Sequence, residues 1–462
     1  MSNDNKYEIQ MESEFNKLNI SDRNPNINHE NCYKPNDGKL WCKECVPHCI
    51  VEGWTSGNND IDEFIKDTIY NAKLKYCDDG KKYPSFLEWV PFDKFVEIKQ
   101  IGEGGFSKVY SAIWIDNKVK YIRQNDGSWK KGESAKPIKV ALKKLNDSQN
   151  ISVEYLNEIK TLWNIYFNET TYLKFYGITK DIKTKEFMMI IQLANKGSLR
   201  CILSSNFDHI FWNEKLKFLY DMVYDLKNLH KLGYCHKDFH SGNMLQNCNK
   251  FLNSVTYISD FGLSGPSNQR SNNKICGVLP YIAPEVLNGE PYTLSSDIYS
   301  FGIIMTELSS GKPPFYNRKH DISLSLEICN GVRPEFGKGT PEIYKKLAYR
   351  CMSAVPNQRP TADELYDALK FWYHPSGEDE RDKFGYKGKK IKAIFNEADN
   401  EILNISTSYE KNPDAIYTSR VFTFSNLPKP VNSPIVTSYL NDDDEENKDC
   451  QDSKLFDLEV PN

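Results

Sequence analysis

Five short groups of residues carry side chains that could handle a triphosphate and a hydroxyl. In chain order they are the turn at 102–109, Lys143, Glu158, the run at 236–243 and the triplet at 260–262. Glycines let a backbone approach phosphate oxygens, a lysine can hold them, and carboxylate and amide oxygens are ligands for Mg²⁺. The order and spacing of the groups predict one site that moves the γ-phosphate of Mg·ATP to a hydroxyl.

The turn at 102–109 has the sequence Gly-Glu-Gly-Gly-Phe-Ser-Lys-Val. Gly-x-Gly strings are common, and a dinucleotide-binding turn is an alternative interpretation. That alternative requires a helix directly after the glycines. The residues from Val109 to Ile115 are instead rich in β-branched and aromatic types and predict a strand. A strand on each side of the turn predicts a lid over nucleotide phosphates.

Two carboxylates and an amide follow in the second half of the sequence. Asp238 ends a His-Lys-Asp triplet, and Asn243 stands five residues further on. Asp260 follows a predicted strand at 255–258 and precedes Phe-Gly. A carboxylate can orient an attacking hydroxyl, which we expect of Asp238. Asn243 and Asp260 supply the oxygen ligands that Mg²⁺ prefers.

Over residues 95–372 these groups resemble those of a eukaryotic protein kinase, and most of all the tyrosine-kinase-like group. The fold class that the resemblance implies is α+β and bilobal, with an N-terminal antiparallel sheet lobe that holds one helix and a mainly helical C-terminal lobe. It implies transfer of the ATP γ-phosphate to Ser or Thr hydroxyls of protein substrates in intracellular signalling, with Tyr or dual specificity left open. An ATP-binding pseudokinase scaffold is the alternative.

The resemblance also implies roles for single residues. Lys143 would hold the α- and β-phosphates, and Glu158, with Glu154 as the competing choice, would keep it aimed. The implied catalytic set is Asp238, Lys143, Glu158 and Asn243. The implied ATP-binding set is Ile101, Gly102, Glu103, Gly104, Gly105, Phe106, Ser107, Val109, Ala141, Lys143, Gln192, Ala194 and Leu245. Within it, the backbone at 192 and 194 would face the adenine.

Three positions depart from the kinase pattern. Ser107 stands where the kinase pattern has its third glycine. Lys237 stands where the pattern has an arginine before the catalytic carboxylate. His240 replaces the lysine that contacts the γ-phosphate in Ser/Thr kinases. Because lysine is a point charge rather than a bidentate fork, Lys237 implies weaker dependence on an activation-loop phosphate. The connection between Ile115 and Pro137 is also longer than is usual in the family. The resemblance further implies a structural ion pair between Glu285 and Arg359.

The residues between these groups predict the elements that must position them. Short β-rich runs from 95 to 193, interrupted by one helix at 153–165, predict a small sheet. Apolar residues then recur with a helical period from Leu216 to Leu229. A later helix, from Ile298 to Leu308, is apolar nearly all round, so we expect it in a core.

The N-terminal residues predict three further segments. Residues 1–28 are polar and predicted to be disordered. Residues 29–50 form a candidate zinc-binding knuckle, whose ligands for one structural Zn²⁺ would be His29, Cys32, Cys42 and Cys45. Free thiols at the two paired cysteines are the alternative. Apolar residues on one face predict an amphipathic helix at 60–77, capped by Asp60.

Composition narrows the classes of partner. The 462 residues carry a net charge of -4 from 59 basic and 63 acidic residues, which favours no nucleic acid and no membrane surface. The polar start has no secretory pattern, so we expect a cytoplasmic setting, with a nuclear one not excluded. Residues 373–462 are predicted to form a mostly flexible acidic tail, in which residues 416–430 are a candidate ordered island. A string in that tail, 416–420, resembles a kinase set expanded in some soil fungi.

Overall fold

The computed structural model describes the greater part of the chain. The described residues are 54–76, 82–105, 107–118, 120–123, 129–132, 136–145, 148–149, 151, 153–168, 173–248, 254–268, 275–374, 378–424 and 427–441. The predicted disordered segment, the zinc candidates His29, Cys32, Cys42 and Cys45, and Phe106 lie outside them. The chain divides into two compact units, with the boundary between Leu193 and Ala194.

The first unit contains a mainly antiparallel sheet and two described helices. The helices are α1 (Asn59–Tyr70) and α2 (Val153–Asn168). The strands are β1 (Lys73–Tyr76), β2 (Lys82–Ser85), β3 (Glu88–Trp89), β4 (Phe95–Glu103), β5 (Ser107–Trp114), β6 (Tyr121–Arg123), β7 (Trp129–Lys131), β8 (Ile138–Leu145), β9 (Phe175–Lys180) and β10 (Phe187–Gln192). A short 3₁₀ turn covers Phe92–Lys94.

Six of these strands form one sheet in the order β3-β9-β10-β8-β5-β4. All neighbours are antiparallel except β3 and β9. Because side chains alternate along a strand, β8 sends Val140 and Leu142 into the core and places Ala141 and Lys143 on the opposite face. The sheet core therefore fixes the face on which Lys143 stands.

Helix α1 differs from the predicted helix at 60–77 at both ends. Its N-cap is Asn58, whose side chain accepts from the Ile61 N–H at 3.1 Å, rather than Asp60. It ends before Asn71, whose N–H is bound to the Asp67 carbonyl at 3.0 Å. The following residues pair as β1 with β2, since strand pairing satisfies their backbone groups. The predicted apolar face is buried in the first unit, where Thr68 Oγ1 accepts from the Leu87 N–H at 3.0 Å.

The second unit is mainly helical. Its described helices are α3 (Leu199–Asn206), α4 (Trp212–Lys231), α5 (Pro284–Leu287), α6 (Leu294–Ser310), α7 (Ile322–Cys329), α8 (Glu342–Cys351), α9 (Ala362–Tyr373), α10 (Glu378–Ala398) and α11 (Pro434–Asn441). Its short strands are β11 (Gly197–Ser198), β12 (Tyr234–Cys235), β13 (Met244–Asn247), β14 (Val255–Ile258), β15 (Gly265–Pro266), β16 (Ile275–Gly277) and β17 (Arg420–Phe422). The α+β fold class is confirmed.

Helices α4 and α6 form the centre of the second unit, as their apolar patterns predict. In α4 the residues that recur with helical period are buried, namely Leu216, Leu219, Met222, Val223, Leu226 and Leu229. Helix α6 is buried around its whole circumference from Ser296 to Ser309. It ends at Gly311 in the left-handed conformation, with φ 71° and the Phe207 ring 2.7 Å from where a Cβ would lie. Only glycine fits there without strain.

The described tail differs from the predicted mostly flexible segment. Phe395 of α10 is 3% exposed and packs between the rings of Trp212 and Trp372, at centroid distances of 5.5 and 5.6 Å. Ile402 is fully buried, and β17 pairs antiparallel with β16. Apolar side chains scattered among the charges thus give this segment enough surface to bury. Within the described residues, no helix combines the length and the apolar character needed to cross a bilayer.

Candidate active site

Lys143 and Glu158 form a buried ion pair in the first unit. Lys143 Nζ lies 2.5 Å from Oε1 of Glu158, and the two residues are 7% and 3% exposed. Strand β8 holds the lysine and helix α2 holds the glutamate, so packing of α2 on the sheet aligns them. A charge pair this buried is costly to desolvate, and ammonium and carboxylate stabilise each other there. The side chain of Glu154, the competing choice, lies outside those described.

The glycine turn joins β4 to β5. Gly104 donates its N–H to the Ser107 carbonyl at 2.8 Å, which closes the turn. A Cβ added at Gly102 or Gly104 would make only ordinary contacts, at 3.9 and 3.8 Å, with the described protein. Packing within the unit therefore does not require glycine, whereas close approach of a phosphate to the backbone would. Ile101, 52% exposed at the end of β4, adds an apolar surface beside the turn.

Residues predicted to contact adenine are divided between the two units. In the first unit, Ala141 on β8 is 8% exposed and stands opposite Ile191 on β10. The Gln192 N–H donates to the Lys174 carbonyl at 2.8 Å, so it is not the donor that adenine would use. Ala194 and Leu245 belong to the second unit, where Leu245 lies on β13 opposite Tyr257.

In the second unit the loop at 236–243 is tied to the segment before Asp260 by a buried histidine. His236 accepts from the Asp238 N–H through Nδ1 at 3.3 Å, so its Nε2–H donates to the Ser259 carbonyl at 3.1 Å. Burial lowers the pKa of His236, although Asp297, Asp238 and Asp260 act against it, and the ring is neutral. Its ring also packs on Phe261, at a centroid distance of 5.2 Å.

The backbone of this loop is held by Asp297 on α6. Its carboxylate accepts from the N–H groups of His236 and Lys237 at 2.7 and 3.0 Å, and from His230 Nε2 at 3.0 Å. Lys237 has φ 67°, a conformation that costs free energy for a non-glycine residue. The buried carboxylate offsets that strain and fixes the direction in which the next residue, Asp238, leaves the backbone.

Asp238 is a buried carboxylate, 7% exposed, surrounded by donors. Asn243 Nδ2 donates to its backbone carbonyl at 3.0 Å, and the Ser419 hydroxyl donates to Oδ2 at 2.5 Å. His240 accepts from the Gly242 N–H through Nδ1 at 3.1 Å, so its protonated Nε2 faces Oδ1 at 3.6 Å. Burial alone would raise the pKa of Asp238, but His240 and Ser419 outweigh it and the net pKa is lowered. The carboxylate is therefore ionised and accepts hydrogen bonds.

Asn243 and Asp260 are linked through Ser259. The N–H and the hydroxyl of Ser259 both donate to the Asn243 carbonyl, at 2.9 and 2.8 Å. Asp260 itself has φ 65°, so the backbone turns sharply at this carboxylate. The Asn243 amide nitrogen is used towards Asp238, which leaves its side-chain oxygen as the ligand atom of that amide. A carboxylate and an amide oxygen held by one backbone link fit the ligand preference of Mg²⁺.

A further network beneath the loop has no motif in the sequence. Glu307 on α6 accepts from the Ser241 hydroxyl at 2.8 Å and from the Tyr281 hydroxyl at 2.6 Å. Arg200 on α3 donates to Ser241 Oγ at 3.2 Å. Burial raises the pKa of Glu307, and Arg200 with the two hydroxyl donors opposes that rise. These residues come from separate helices and turns, so spacing along the chain gives no signal of them.

The predicted pair of Glu285 and Arg359 is confirmed as a bidentate ion pair. Arg359 Nη1 and Nη2 donate to the two carboxylate oxygens at 2.7 and 2.6 Å. The arginine side chain is completely buried and also donates to the Ser295 and Ser353 carbonyls. It ties α5 to the start of α6 and to the segment after α8, a structural role.

Comparisons with known proteins agree with this geometry. Residues 95–369 match the family model described as protein tyrosine and serine/threonine kinase. Two proteins of Dictyostelium discoideum named as probable serine/threonine-protein kinases are 28% and 26% identical, over 62% and 58% of this chain but only 16% and 15% of their own lengths. A third from that organism, the probable serine/threonine-protein kinase gdt4, is 27% identical over 71% of this chain and 19% of its length. The chain thus spans less than a fifth of these relatives.

The matched segment begins with β4 and ends within α9, so it includes the Lys143–Glu158 pair of the first unit and the loop at 236–243 of the second. It covers more than half of the chain. The chain belongs to the family of protein tyrosine and serine/threonine kinases.

Proposed function

We propose that this chain is a protein serine/threonine kinase that transfers the γ-phosphate of ATP to hydroxyls of protein substrates. The observation that carries the proposal is Asp238, a buried ionised carboxylate that accepts a hydrogen bond from a serine hydroxyl at 2.5 Å. A carboxylate in this position orients the hydroxyl for in-line attack and accepts its proton. The relatives' names support the choice of serine and threonine over tyrosine.

The other residues have roles in binding the nucleotide. In this proposal Lys143, aimed by Glu158, holds the α- and β-phosphates, while backbone N–H groups of the glycine turn approach the outer phosphates. Ile101, Ala141, Gln192, Ala194 and Leu245 bind the adenine. Asn243 and Asp260 would hold Mg²⁺, which when bound neutralises negative charge on the phosphates. The small side chain of Ser107 at the third glycine position leaves room for the same approach.

Two departures from the kinase pattern bear on specificity and regulation. His240 stands near Asp238 where Ser/Thr kinases carry a lysine, and its Nε2 lies 3.6 Å from the carboxylate. We propose that it steadies the charge of Asp238 and that the chain belongs to the tyrosine-kinase-like group, with the fungal set as the narrower assignment. Lys237 cannot form the bidentate contact of an arginine, so activation would depend less on an activation-loop phosphate.

The proposal is tested by incubating the full chain with Mg·ATP and myelin basic protein, followed by phosphoamino-acid analysis. Asp238→Asn is expected to reduce transfer by about 10²- to 10⁴-fold, the range for loss of a general base. ATP should still raise the melting temperature of that variant, because Asp238 contacts the hydroxyl rather than the nucleotide. Nucleotide-dependent stabilisation of the wild-type chain without any transfer would refute the proposal and favour a pseudokinase scaffold.

Two further proposals concern a zinc site near the N-terminus and the location of the chain in the cell. We propose that His29, Cys32, Cys42 and Cys45 bind one structural Zn²⁺, on the spacing of two paired ligands. Metal analysis of the dialysed full chain and of Cys42→Ser tests this, and less than one zinc per wild-type chain excludes the site. A cytoplasmic location is a proposal from composition, tested by imaging the tagged chain.

A further inference from the structure

A segment of the C-terminal tail, residues 416–422, lies against the loop at 236–243, which carries Asp238. Its strand β17 pairs antiparallel with β16, and the register sets Arg420 opposite Gly277. Gly277 borders the catalytic residue, because a Cβ added there would lie 3.5 Å from Oδ1 of Asp238. Pairing of the two strands therefore brings the tail next to the catalytic carboxylate.

Ser419 is the tail residue that reaches Asp238. It comes directly before β17, and its hydroxyl donates to Oδ2 of Asp238 at 2.5 Å. The neighbouring Thr418 makes no hydrogen bond to Asp238 in the described part of the chain. The contact is thus specific to one hydroxyl of the tail segment 416–422.

Contacts on the N-terminal side of Ser419 fix its position. Arg200 donates to the Tyr417 carbonyl at 2.9 Å, and its guanidinium lies 5.0 Å from the centre of the Tyr417 ring. The Tyr417 hydroxyl donates to the Pro314 carbonyl at 2.9 Å. His320 Nδ1 lies 2.9 Å from the Ile416 carbonyl, and its ring packs edge-on against Tyr417 at 4.8 Å. With β17 on the other side, Ser419 is anchored from both directions.

This arrangement has the features of a bound peptide substrate. An extended segment adds a strand to an exposed edge, which is a common mode of peptide recognition. Its hydroxyl is hydrogen-bonded to the carboxylate proposed to accept the proton of a substrate. A second hydroxyl cannot occupy the same position on Oδ2 at the same time. The tail segment 416–422 therefore excludes other substrates while it is in place.

We propose that Ser419 is an intramolecular phosphoacceptor and that the tail segment 416–422 blocks the site until Ser419 is phosphorylated. This inference rests on the proposed kinase activity. In the reaction Ser419 Oγ forms a bond to the γ-phosphorus of ATP, and the bond from that phosphorus to the β,γ-bridging oxygen breaks. The hydroxyl proton passes to Asp238, and ADP leaves with the electron pair of the broken bond.

Phosphorylation then removes the segment by charge repulsion. A phosphoserine carries about −1.5 to −2 charges at neutral pH, and here it would stand against the ionised carboxylate of Asp238. Like charges at this separation repel strongly where water is largely excluded. The product of the intramolecular reaction thus opens the site to hydroxyls of other proteins.

The first experiment locates the phosphate in the full chain. The chain is dephosphorylated with a phosphatase, incubated with Mg·ATP and mapped by mass spectrometry. Phosphate is expected on Ser419 in the wild type and in Thr418→Ala, the matched control, and not in Ser419→Ala. Transfer to myelin basic protein is measured in the same samples. Wild type that completes its transfer to that protein while Ser419 stays unmodified overturns this inference alone, whereas no transfer to either acceptor refutes the kinase activity and the inference with it.

The second experiment tests whether the reaction is intramolecular. The rate of Ser419 phosphorylation per molecule should be the same over about a hundredfold range of protein concentration, as first-order kinetics require. In a mixture, Ser419 of a tagged Asp238→Asn chain should stay unmodified beside the active wild type. A rate that rises with concentration, or phosphate on the tagged chain, would show transfer between molecules and overturn the inference.

The third experiment tests release of the tail. Dephosphorylated wild type should phosphorylate myelin basic protein after a lag and then accelerate by about tenfold, as repulsion displaces the segment. Ser419→Ala should start at the same rate and not accelerate, and Ser419→Glu should show no lag. Melting temperatures verify that each variant is folded. Equal progress curves for the wild type and Ser419→Ala would overturn the blocking role.

Discussion

Lys215 on α4 is a buried cation whose replacement should stabilise the protein at neutral pH. It is fully buried, and its ammonium lies 4.1 and 4.9 Å from the ring centres of Phe207 and Trp212. Among the described residues Nζ has no hydrogen-bond partner. Burial lowers the pKa of Lys215 from 10.5 to about 7, partly opposed by Asp399. We expect Lys215→Met to retain the packing of the side chain without its charge.

The size of the stabilisation expected for Lys215→Met follows from the pKa of Lys215. A lowering from 10.5 to about 7 corresponds to about 5 kcal/mol, at about 1.4 kcal/mol per pH unit. At pH 7 half of the folded chains carry the charge on Lys215. Burial of this side chain then lowers the free energy of unfolding by about 4 kcal/mol relative to a side chain that is always neutral. A pKa of about 7 is the net of burial and of every attraction that the ammonium feels in the folded chain. Lys215→Met should therefore increase the free energy of unfolding at pH 7 by up to about 4 kcal/mol.

The pH dependence has a definite sign. Between pH 7 and pH 10.5 the unfolded chain keeps the proton on Lys215 and the folded chain does not, so stability of the wild type should rise with pH in this window. Below pH 7 Lys215 is charged in both the folded and the unfolded chain, so its contribution to the free energy of unfolding does not change with pH. Lys215→Met should lack the rise, and the advantage of the variant should shrink as the pH is raised from 7 to 9.

Urea unfolding at pH 6.5 to 9 measures both effects. Lys231→Met is the matched control, since Lys231 ends the same helix and is exposed, and it should change the free energy of unfolding by less than about 0.5 kcal/mol at every pH. A Lys215→Met variant less stable than the wild type at pH 7 would show that the rings stabilise the ammonium more than burial destabilises it. A wild-type curve parallel to that of the variant would show that Lys215 does not titrate in the window.

Two further predictions concern stability. Arg359→Leu should lower the free energy of unfolding by about 3 to 5 kcal/mol, because it leaves Glu285 charged, buried and unpaired; a smaller loss in urea unfolding would mean that water replaces the guanidinium. Gly331→Ala places a Cβ 2.4 Å from the backbone nitrogen of Ser433 and should lower the melting temperature more than Gly289→Ala. Gly289 also has a positive φ, but the space around it is open. Equal decreases in the melting temperature of the two variants would show that backbone strain alone, and not the clash with Ser433, causes the loss of stability.

Local sequence patterns predicted the elements and groups that depend on near neighbours. The apolar residues from Val140 to Leu142 predict a buried strand that leads to Lys143, and alternation along that strand is what places the lysine on the face opposite Val140 and Leu142 in the structure. The period of Leu216 to Leu229 likewise sets the buried face of α4. The order of the glycine turn, Lys143, Asp238 and Asp260 indicated the kinase family, which the family model shows.

What the sequence could not predict depends on residues that are distant along the chain. The end of α1 at Tyr70 was decided by pairing of β1 with β2, since apolar residues at helical spacing also occur in strands. The network of Arg200, Ser241 and Glu307 has no spacing that marks it.

The sequence by itself determined the family, the two classes of secondary structure and the side chains available for chemistry, because these follow from residue type and short-range order. The tertiary structure alone decided which groups meet Asp238. Ser419 is 181 residues away along the chain, and only folding of the tail and pairing of β17 with β16 bring its hydroxyl to the carboxylate. Such a contact arises from packing of the whole unit rather than from any local pattern.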